Sequence, residues 1–389
     1  MGFKIGVCSP IQVLKFKDYL NKPNKNHLNL GLGGHAVNRI ILGLLEEGYI
    51  VEIFTLDPSI KNSIKLSGDN LKINIFPLRG KIRGLDVFRK EIKFLKESIN
   101  NSNIDIIHAH WSYEYALAAL KSDKPHLITV RDNAKAILKT HNDKLYRLLR
   151  YFLNSYVIRN ANNIIANSDY IKKYLDETFR LDVDVIPNPI DDKKIDSDVR
   201  VYNTGRKDIV SVNNGFSKLK NVKLLIIAFF EVRRKLPECE LLLIGKQYGE
   251  NEEAQYWARK EGFDDGVQFI GRKTNDEVLE IISKSDLLVH PSLEESFGNP
   301  LIEAMIKGTP CIGGVNSGAV PWVLDYGKAG LLVNVRHPVN IADGIEKILT
   351  DKKIWEQYSR KGIKNVEDRF ILPVVISQHI KKYKKILYT

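Results

Sequence analysis

The sequence predicts an α/β chain built from two Rossmann-like domains, each with a parallel sheet, that face a cleft. Three observations lead there. Short apolar segments alternate with longer stretches of helical periodicity, the pattern of strand–helix–strand units. The strand segments fall into two series, separated at Ile186-Pro187-Asn188-Pro189, where proline can continue neither a helix nor a central strand. The chain has 389 residues, an ordinary length for two domains.

In chain order, Phe3–Cys8 reads as a buried first strand. Gly33 and Gly34 form a loop, and His35–Glu47 carries the apolar stripe of a helix. Strands are expected at Tyr49–Thr55, Ile104–His108, His126–Val130, Ile164–Asn167 and Val183–Ile186. After the hinge the second series runs Asp208–Val212, Glu240–Ile244, Gly266–Ile270, Leu287–His290, Cys311–Gly313 and Gly330–Val333, with helices between. The expected division is 1–190, 191–365, and a C-terminal helical segment, 366–389, that returns to the first domain. In such folds ligands sit at the carboxyl ends of the strands.

Composition narrows the function classes. Met1–Pro10 is too short and interrupted for a secretory apolar region, and the longest apolar run, Leu224–Phe230, is far below the roughly 20 residues of a membrane span. Cys8, Cys239 and Cys311 show no metal or disulfide spacing, which fits a reducing compartment, so a cytoplasmic location is expected. The net charge is +12, and residues 1–190 hold 28 Lys/Arg against 19 Asp/Glu. A basic half suits nucleic acid, anionic lipid or an anionic acceptor, or serves solubility. Basic–aromatic interleaving, an RNP-like string and zinc spacing are all missing, which argues against nucleic acid.

The chemistry concentrates in His290–Val320. A strand ends at His290, a loop holds Glu295, Phe297 and Gly298, and a helix follows from about Pro300, a residue suited to a first helical turn. The positive end of that helix at a strand tip is a diphosphate site. Glu295 lies before the helix and Glu303 inside it, so one carboxylate can stand on each side of a bound diphosphate. Carboxylates pair well with vicinal sugar hydroxyls.

Pro291, Ser292, Glu295, Phe297, Gly298, Glu303 and Ala304 stand in the register of a string that resembles the mark of the family 4 retaining glycosyltransferases of GT-B fold. The resemblance covers nearly the whole chain. It implies a nucleotide-diphosphate sugar as donor, with no cofactor and no metal. Glu295 would contact the hexose, Glu303 the ribose, and the backbone around Gly298, Asn299 and Leu301 the diphosphate. Lys220 matches the family's phosphate-binding lysine, and Arg272 falls in a loop like the one touching the base. Gly33 and Gly34 are similar to the glycine loop near the leaving phosphate. Asp105-Ile-Ile-His108-Ala-His110-Trp111 resembles a strand-end D-x-x-H-x-H on the acceptor side, where Asp132 also belongs. Glu295, Lys220, Arg131 and His110 are the expected catalytic set. The acceptor is expected to be a glycan or lipid-linked glycan in bacterial surface-polysaccharide synthesis.

Three positions depart from the family. Gly215 stands where an arginine usually precedes the phosphate lysine, and Lys218 is the candidate replacement. Thr129-Val130-Arg131-Asp132 has Arg131 in place of a histidine; it always carries charge and suits an acidic sugar, a phosphate or a carboxylate partner. Pro189 replaces a glycine after Asn188. Asp182-Val-Asp184 could suggest a metal-dependent transferase, but strand alternation turns both side chains outward. A nucleotide-sugar 2-epimerase of the same fold is the alternative activity.

Lys81, Arg83, Arg89 and Lys93 form a basic patch beside an apolar series of Leu85, Phe88, Ile92, Leu95 and Ile99 at helical spacing. Membrane-associated members of the family use a basic helix in the first domain. By that resemblance, the patch is expected to meet anionic lipid at the inner face of the plasma membrane.

Overall fold

The computed structural model describes residues 2–140, 143–191, 201–205 and 207–388. The chain forms two compact units, 1–190 with 372–389, and 191–371. The returning segment therefore starts at Leu372 and not at 366, because the preceding helix continues through Lys352–Arg369. Leu372, Val375, Ile376 and Tyr383 of the helix Leu372–Tyr388 enter the first unit's core.

The first unit contains β1 (Ile5–Cys8), β2 (Val51–Asp57), β3 (Ile64–Ser67), β4 (Leu71–Pro77), β5 (Ile106–His110), β6 (His126–Val130), β7 (Ile164–Ala166) and β8 (Asp184–Val185). They form one sheet in the order β3-β4-β2-β1-β5-β6-β7-β8. Every pairing is parallel except β3 on β4, which is antiparallel and lies at the edge. The chain leaves β1 to one side for β2 and later returns to its other side with β5. The switch point of this sheet thus falls between β1 and β5, the usual place for a ligand crevice.

The second unit contains β9 (Asp208–Val212), β10 (Glu240–Ile244), β11 (Val267–Gly271), β12 (Leu287–His290), β13 (Cys311–Gly314) and β14 (Leu331–Val333). They form a wholly parallel sheet, β11-β10-β9-β12-β13-β14. Its switch point lies between β9 and β12. Strands such as Leu-Leu-Val-His in β12 are apolar and buried throughout because helices cover both faces of a parallel sheet.

Two expectations are corrected here. The strand expected at Ile104–His108 runs Ile106–His110, so both histidines lie inside a buried strand. The apolar series beside the basic patch starts at Phe88 and not at Leu85. Lys81–Gly84 is a 3-10 turn, and Phe88 has φ +61°, which breaks the helical course before Arg89–Asn100 begins. Phe88, Ile92, Leu95 and Ile99 are buried, whereas Leu85 is exposed.

Candidate active site

In the second unit the loops after β9 and β12 carry the chemistry, and these are the two strands flanking its switch point. Lys220 sits in the first loop, just before the helix Val222–Lys235. Glu295 sits in the second, ahead of the helix Asn299–Ile306. The loops are tied together: Leu293 N donates to Leu219 O at 2.8 Å, and Asn221 Nδ2 donates to Pro291 O at 3.1 Å and Val335 O at 2.7 Å. Ser292 Oγ donates to the buried Asn213 Oδ1 at 3.3 Å.

This bracing brings Lys220 Nζ to 2.6 Å from Glu295 Oε1. His290 Nε2, at the end of β12, lies 3.2 Å from the same oxygen and must carry the proton to bond a carboxylate. Burial pushes the Glu295 carboxyl up, but the His290 hydrogen bond and the Lys220 charge outweigh it and hold the group well below the usual carboxylate range. Glu295 is therefore an oriented anion beside a cation.

Gly298 caps the following helix with φ +93°, and Pro300 stands in its first turn. The helix N-terminus points its dipole toward the same loop. Phe297 is buried and packs edge-on against Phe370 and Trp322 at 5.7 and 6.2 Å. Leu301 is buried, and Asn299 opens the helix. Glu303, buried, accepts from Asn275 Nδ2 at 3.3 Å.

Two expected donor residues sit apart from this group. Lys218 is exposed and lines a pocket of about 500 Å³ with Phe216, Lys223, Leu293 and Arg336, not with Glu295. Lys220 N donates to Ser217 O at 3.1 Å, closing the turn that carries Lys218. Arg272 follows β11 and is exposed.

Gly318 was not foreseen. Its φ is +63°, and a Cβ there would stand 2.3 Å from Glu295 O. Ala319 N donates to that same oxygen at 2.8 Å. The turn after β13 thus braces the backbone of Glu295, and only glycine permits the approach. The run Gly313-Gly314…Gly318 was the signal available. His290, five residues before Glu295, was the other.

In the first unit the switch point has Gly33 and Gly34 in the loop after β1, and His110 at the end of β5 with Trp111 directly after it. Gly34 caps the helix His35–Glu46 with φ +82°, and a Cβ would lie 2.2 Å from Pro10 O in the loop after β1. Gly33 has φ +104°, and nothing lies within 4 Å of where a Cβ would stand.

His108 differs from its expected role at the acceptor. It is buried, with Nδ1 2.7 Å from Tyr383 Oη and Nε2 2.7 Å from Thr129 Oγ1, so both ring nitrogens are committed. It anchors the C-terminal helix to the sheet. His110 is different. Its Nδ1 accepts from Arg131 Nε at 3.3 Å and from the Nη2 of the same guanidinium at 3.0 Å, which places the ring proton on Nε2. That Nε2 is buried and has no partner among the described residues. Burial holds the His110 imidazole well below its ordinary pKa, neutral, with His108 and Arg131 adding to the effect.

Arg131 is 5% exposed. It donates to Asn188 Oδ1 at 2.5 Å and lies over the Trp111 ring at 5.6 Å. Asn188 therefore locks Arg131 as well as marking the hinge. Burial lowers the guanidinium pKa to about 10, with Asp132 opposing it. No carboxylate comes within ion-pair distance of Arg131 among the described residues. Trp111 itself has φ +65°, strained for a non-glycine residue at a strand end. Burial raises the Asp132 carboxyl against the pull of Arg150, Arg131 and Arg147.

Asp182 and Asp184 are exposed, and each pairs with a lysine: Asp182 with Lys172 at 2.7 Å and Asp184 with Lys382 at 2.6 Å.

Comparison with known proteins decides the family. The model for glycosyl transferases group 1 matches residues 192–365, and that for glycosyltransferase family 4 matches residues 34–194. The chain belongs to the family 4 glycosyltransferases. This glycosyltransferase is 29% identical over 314 residues to an uncharacterized glycosyltransferase of Methanocaldococcus jannaschii, covering 80% of this chain and 83% of that one. It is 25% identical over 311 residues to the N-acetyl-alpha-D-glucosaminyl L-malate synthase of Bacillus anthracis, covering 75% and 78%. Its fold is GT-B: the sucrose-phosphate synthase of Thermosynechococcus elongatus superposes with a TM-score of 0.78 at 18% identity, over 98% of this chain and 99% of that one.

Proposed function

We propose that this glycosyltransferase moves a hexose-type sugar from a nucleotide-diphosphate donor, with retention and without a metal, to a glycan or lipid-linked glycan bearing an anionic group. The observation that carries this reading is the Glu295–Lys220 pair at the switch point of the second sheet, ahead of a helix N-terminus. The second unit holds the donor. Glu303 takes the ribose, the helix start and Lys220 take the diphosphate, and Glu295 takes the hexose.

The acceptor hydroxyl attacks the anomeric carbon on the face from which the diphosphate departs. The bond from that carbon to the phosphate oxygen breaks as the new glycosidic bond forms. The hydroxyl proton passes to the leaving phosphate, so no protein base is needed. Lys220 and the helix dipole stabilise the developing negative charge, the service a metal gives elsewhere. Such an acceptor belongs to cell-surface polysaccharide synthesis at the inner face of the membrane.

The experiment is a donor panel of nucleotide sugars run with EDTA, with the anomeric configuration of the product read by NMR. Retained configuration at full rate is expected. Loss of activity restored by manganese, or an inverted product, overturns the mechanism. Isomerised donor in the absence of acceptor would instead show an epimerase.

Arg131 supports the anionic acceptor. A buried cation without a carboxylate partner is costly, and the bare Nε2–H of His110 beside it is a second donor for an anion. The Bacillus relative, by its name, joins its sugar to malate, an acid. Arg131→His is expected to leave nucleotide affinity intact and to raise KM for a carboxylate- or phosphate-bearing acceptor at least tenfold, the order of a lost charged hydrogen bond at about 1.5–3 kcal/mol. An unchanged KM across charged and neutral acceptors would make Arg131 a structural residue.

A further inference from the structure

The basic patch expected near Lys81 is not the best membrane surface of the first unit. Arg79 is committed to Glu91 and Asp86, with Nη2 at 2.6 and 2.8 Å from their carboxylates. Arg83 is half-buried, donates to Tyr146 Oη at 3.2 Å and lies over the Phe88 ring at 5.6 Å. The Lys81 side chain lies outside the described residues. Arg89 and Lys93 remain exposed, Lys93 near Glu97 at 3.7 Å, and the buried face of their helix already packs on the sheet.

The helix Lys144–Asn160 is built the other way round. Its inner face buries Leu153, Asn154, Val157 and Ile158. Its outer face carries a second apolar stripe: Leu145, Leu148, Phe152 and Tyr156 are 75, 38, 60 and 51% exposed. They stand three, four and four residues apart, so they form one continuous line along the helix. A soluble surface rarely presents such a line without a partner.

Charge selects the partner. The 17 residues of this helix include Lys144, Arg147, Arg150 and Arg159 and no acid at all. Lys144 and Arg159 are exposed, as is Lys135 on the helix before it. Asp143, at the helix start, is paired with Arg147 at 3.0 Å. The other cation, Arg150, is tied down to Glu114 at 3.2 Å and lies over the Tyr113 ring. An apolar line with Phe and Tyr, flanked by exposed cations that have no ion-pair partner among the described residues, is the composition of a helix lying in the headgroup region of an anionic bilayer; Arg159 has only the Phe179 ring, 5.9 Å from its guanidinium carbon.

We infer that the outer face of Lys144–Asn160 docks this enzyme on an anionic membrane surface, with Leu145, Leu148, Phe152 and Tyr156 entering the interface and Lys144, Arg159 and Lys135 meeting lipid phosphates. This rests on the membrane-side acceptor proposed above, and it moves the contact away from Arg89 and Lys93.

Vesicle sedimentation with the full chain tests it. Phosphatidylglycerol-containing vesicles should bind at least tenfold tighter than pure phosphatidylcholine, with binding weakened by salt. Leu148→Ser with Phe152→Ser should cut binding tenfold or more. Lys144→Ser with Arg159→Ser should cut it by roughly fivefold per cation, more so at low salt. Leu148 is the least exposed of the four and Arg159 lies over the Phe179 ring, so melting temperature should fall only slightly, and donor turnover should not change. Arg89→Ser with Lys93→Ser should have little effect. Vesicle binding that survives Leu148→Ser/Phe152→Ser, or that ignores lipid charge, overturns the inference. So does a concentration-dependent dimer, seen by sedimentation velocity, that the same double variant disperses without any vesicle binding. A failure of nucleotide binding with vesicle binding intact would count instead against the transferase reading.

Discussion

Glu295→Ala is expected to lower turnover on the order of 100- to 1,000-fold while leaving nucleotide affinity within about twofold. The carboxylate is fixed by Lys220 and His290 and is positioned by two loops, so in the proposed arrangement it would orient the transferred sugar without reorganising during the reaction. It does not contact the nucleotide in the proposed arrangement. Glu303→Ala should behave oppositely. In the same proposed arrangement it removes a ribose contact common to donor and product, and should weaken both by about 1.5–3 kcal/mol, at least tenfold. Calorimetry with the nucleoside diphosphate, paired with turnover at saturating donor, separates the two. Equal losses of nucleotide affinity would mean that the roles are wrongly divided. Because the Glu295 pKa is depressed, its carboxylate stays charged through the working range. Its contribution to stability is fully present above the ordinary carboxylate pKa and is lost only as the pH falls through the lowered folded value. An acid limb in the rate profile near neutrality therefore belongs to another group.

The second unit was the more legible half, for a physical reason. Its inner strands are short, mostly apolar runs buried on both faces, such as Glu240–Ile244 and Leu287–His290. The first unit hides two strands. Ile64–Ser67 is a half-exposed antiparallel edge, and Leu71–Pro77, its neighbour, interrupts its apolar run with Lys72 and Asn74. The two-residue shift at β5 has one cause: His108 reads in sequence as a polar strand end, yet it lies inside the strand. Its ring is satisfied inside the fold by Tyr383, 275 residues away, and by Thr129. No local pattern can announce such a partner.

The same division applies to the site. Glu295, Glu303 and Lys220 stood out because their spacing belongs to a recognisable string around a helix start. That Lys220 and Glu295 touch is a consequence of β9 and β12 being neighbours, which depends on strand order. Closeness in sequence does not carry over to Lys218, which lines a pocket with Phe216 and Arg336 while Lys220 pairs with Glu295. The apolar series from Leu85 misled because a positive φ at Phe88 ends its helical period. The outer stripe on Lys144–Asn160 was invisible for a related reason: a helix with apolar residues on two faces looks in sequence like one that is simply buried.

Gly318→Val is expected to lose about 100-fold in turnover, with nucleotide affinity nearly unchanged, because it acts on Glu295 through the backbone. At φ +63° a β-branched residue is strained by roughly 1–2 kcal/mol. More important is the collision: the new Cβ would lie 2.3 Å from Glu295 O and 3.1 Å from Glu295 N, so one of the two turns must move. The Ala319 N–H bond to Glu295 O is then stretched or broken. A shift of about 1 Å in a group that orients a reacting sugar costs on the order of 100-fold. Strain alone can be separated from collision by Gly262→Val. Gly262 has φ +73° at the end of the helix Glu253–Glu261, and nothing lies within 4 Å of its Cβ position. That variant should lose comparable stability and keep its turnover. If Gly262→Val and Gly318→Val lose turnover alike, the effect is general strain. If Gly318→Val turns over at the native rate, the turn after β13 does not hold Glu295 in place.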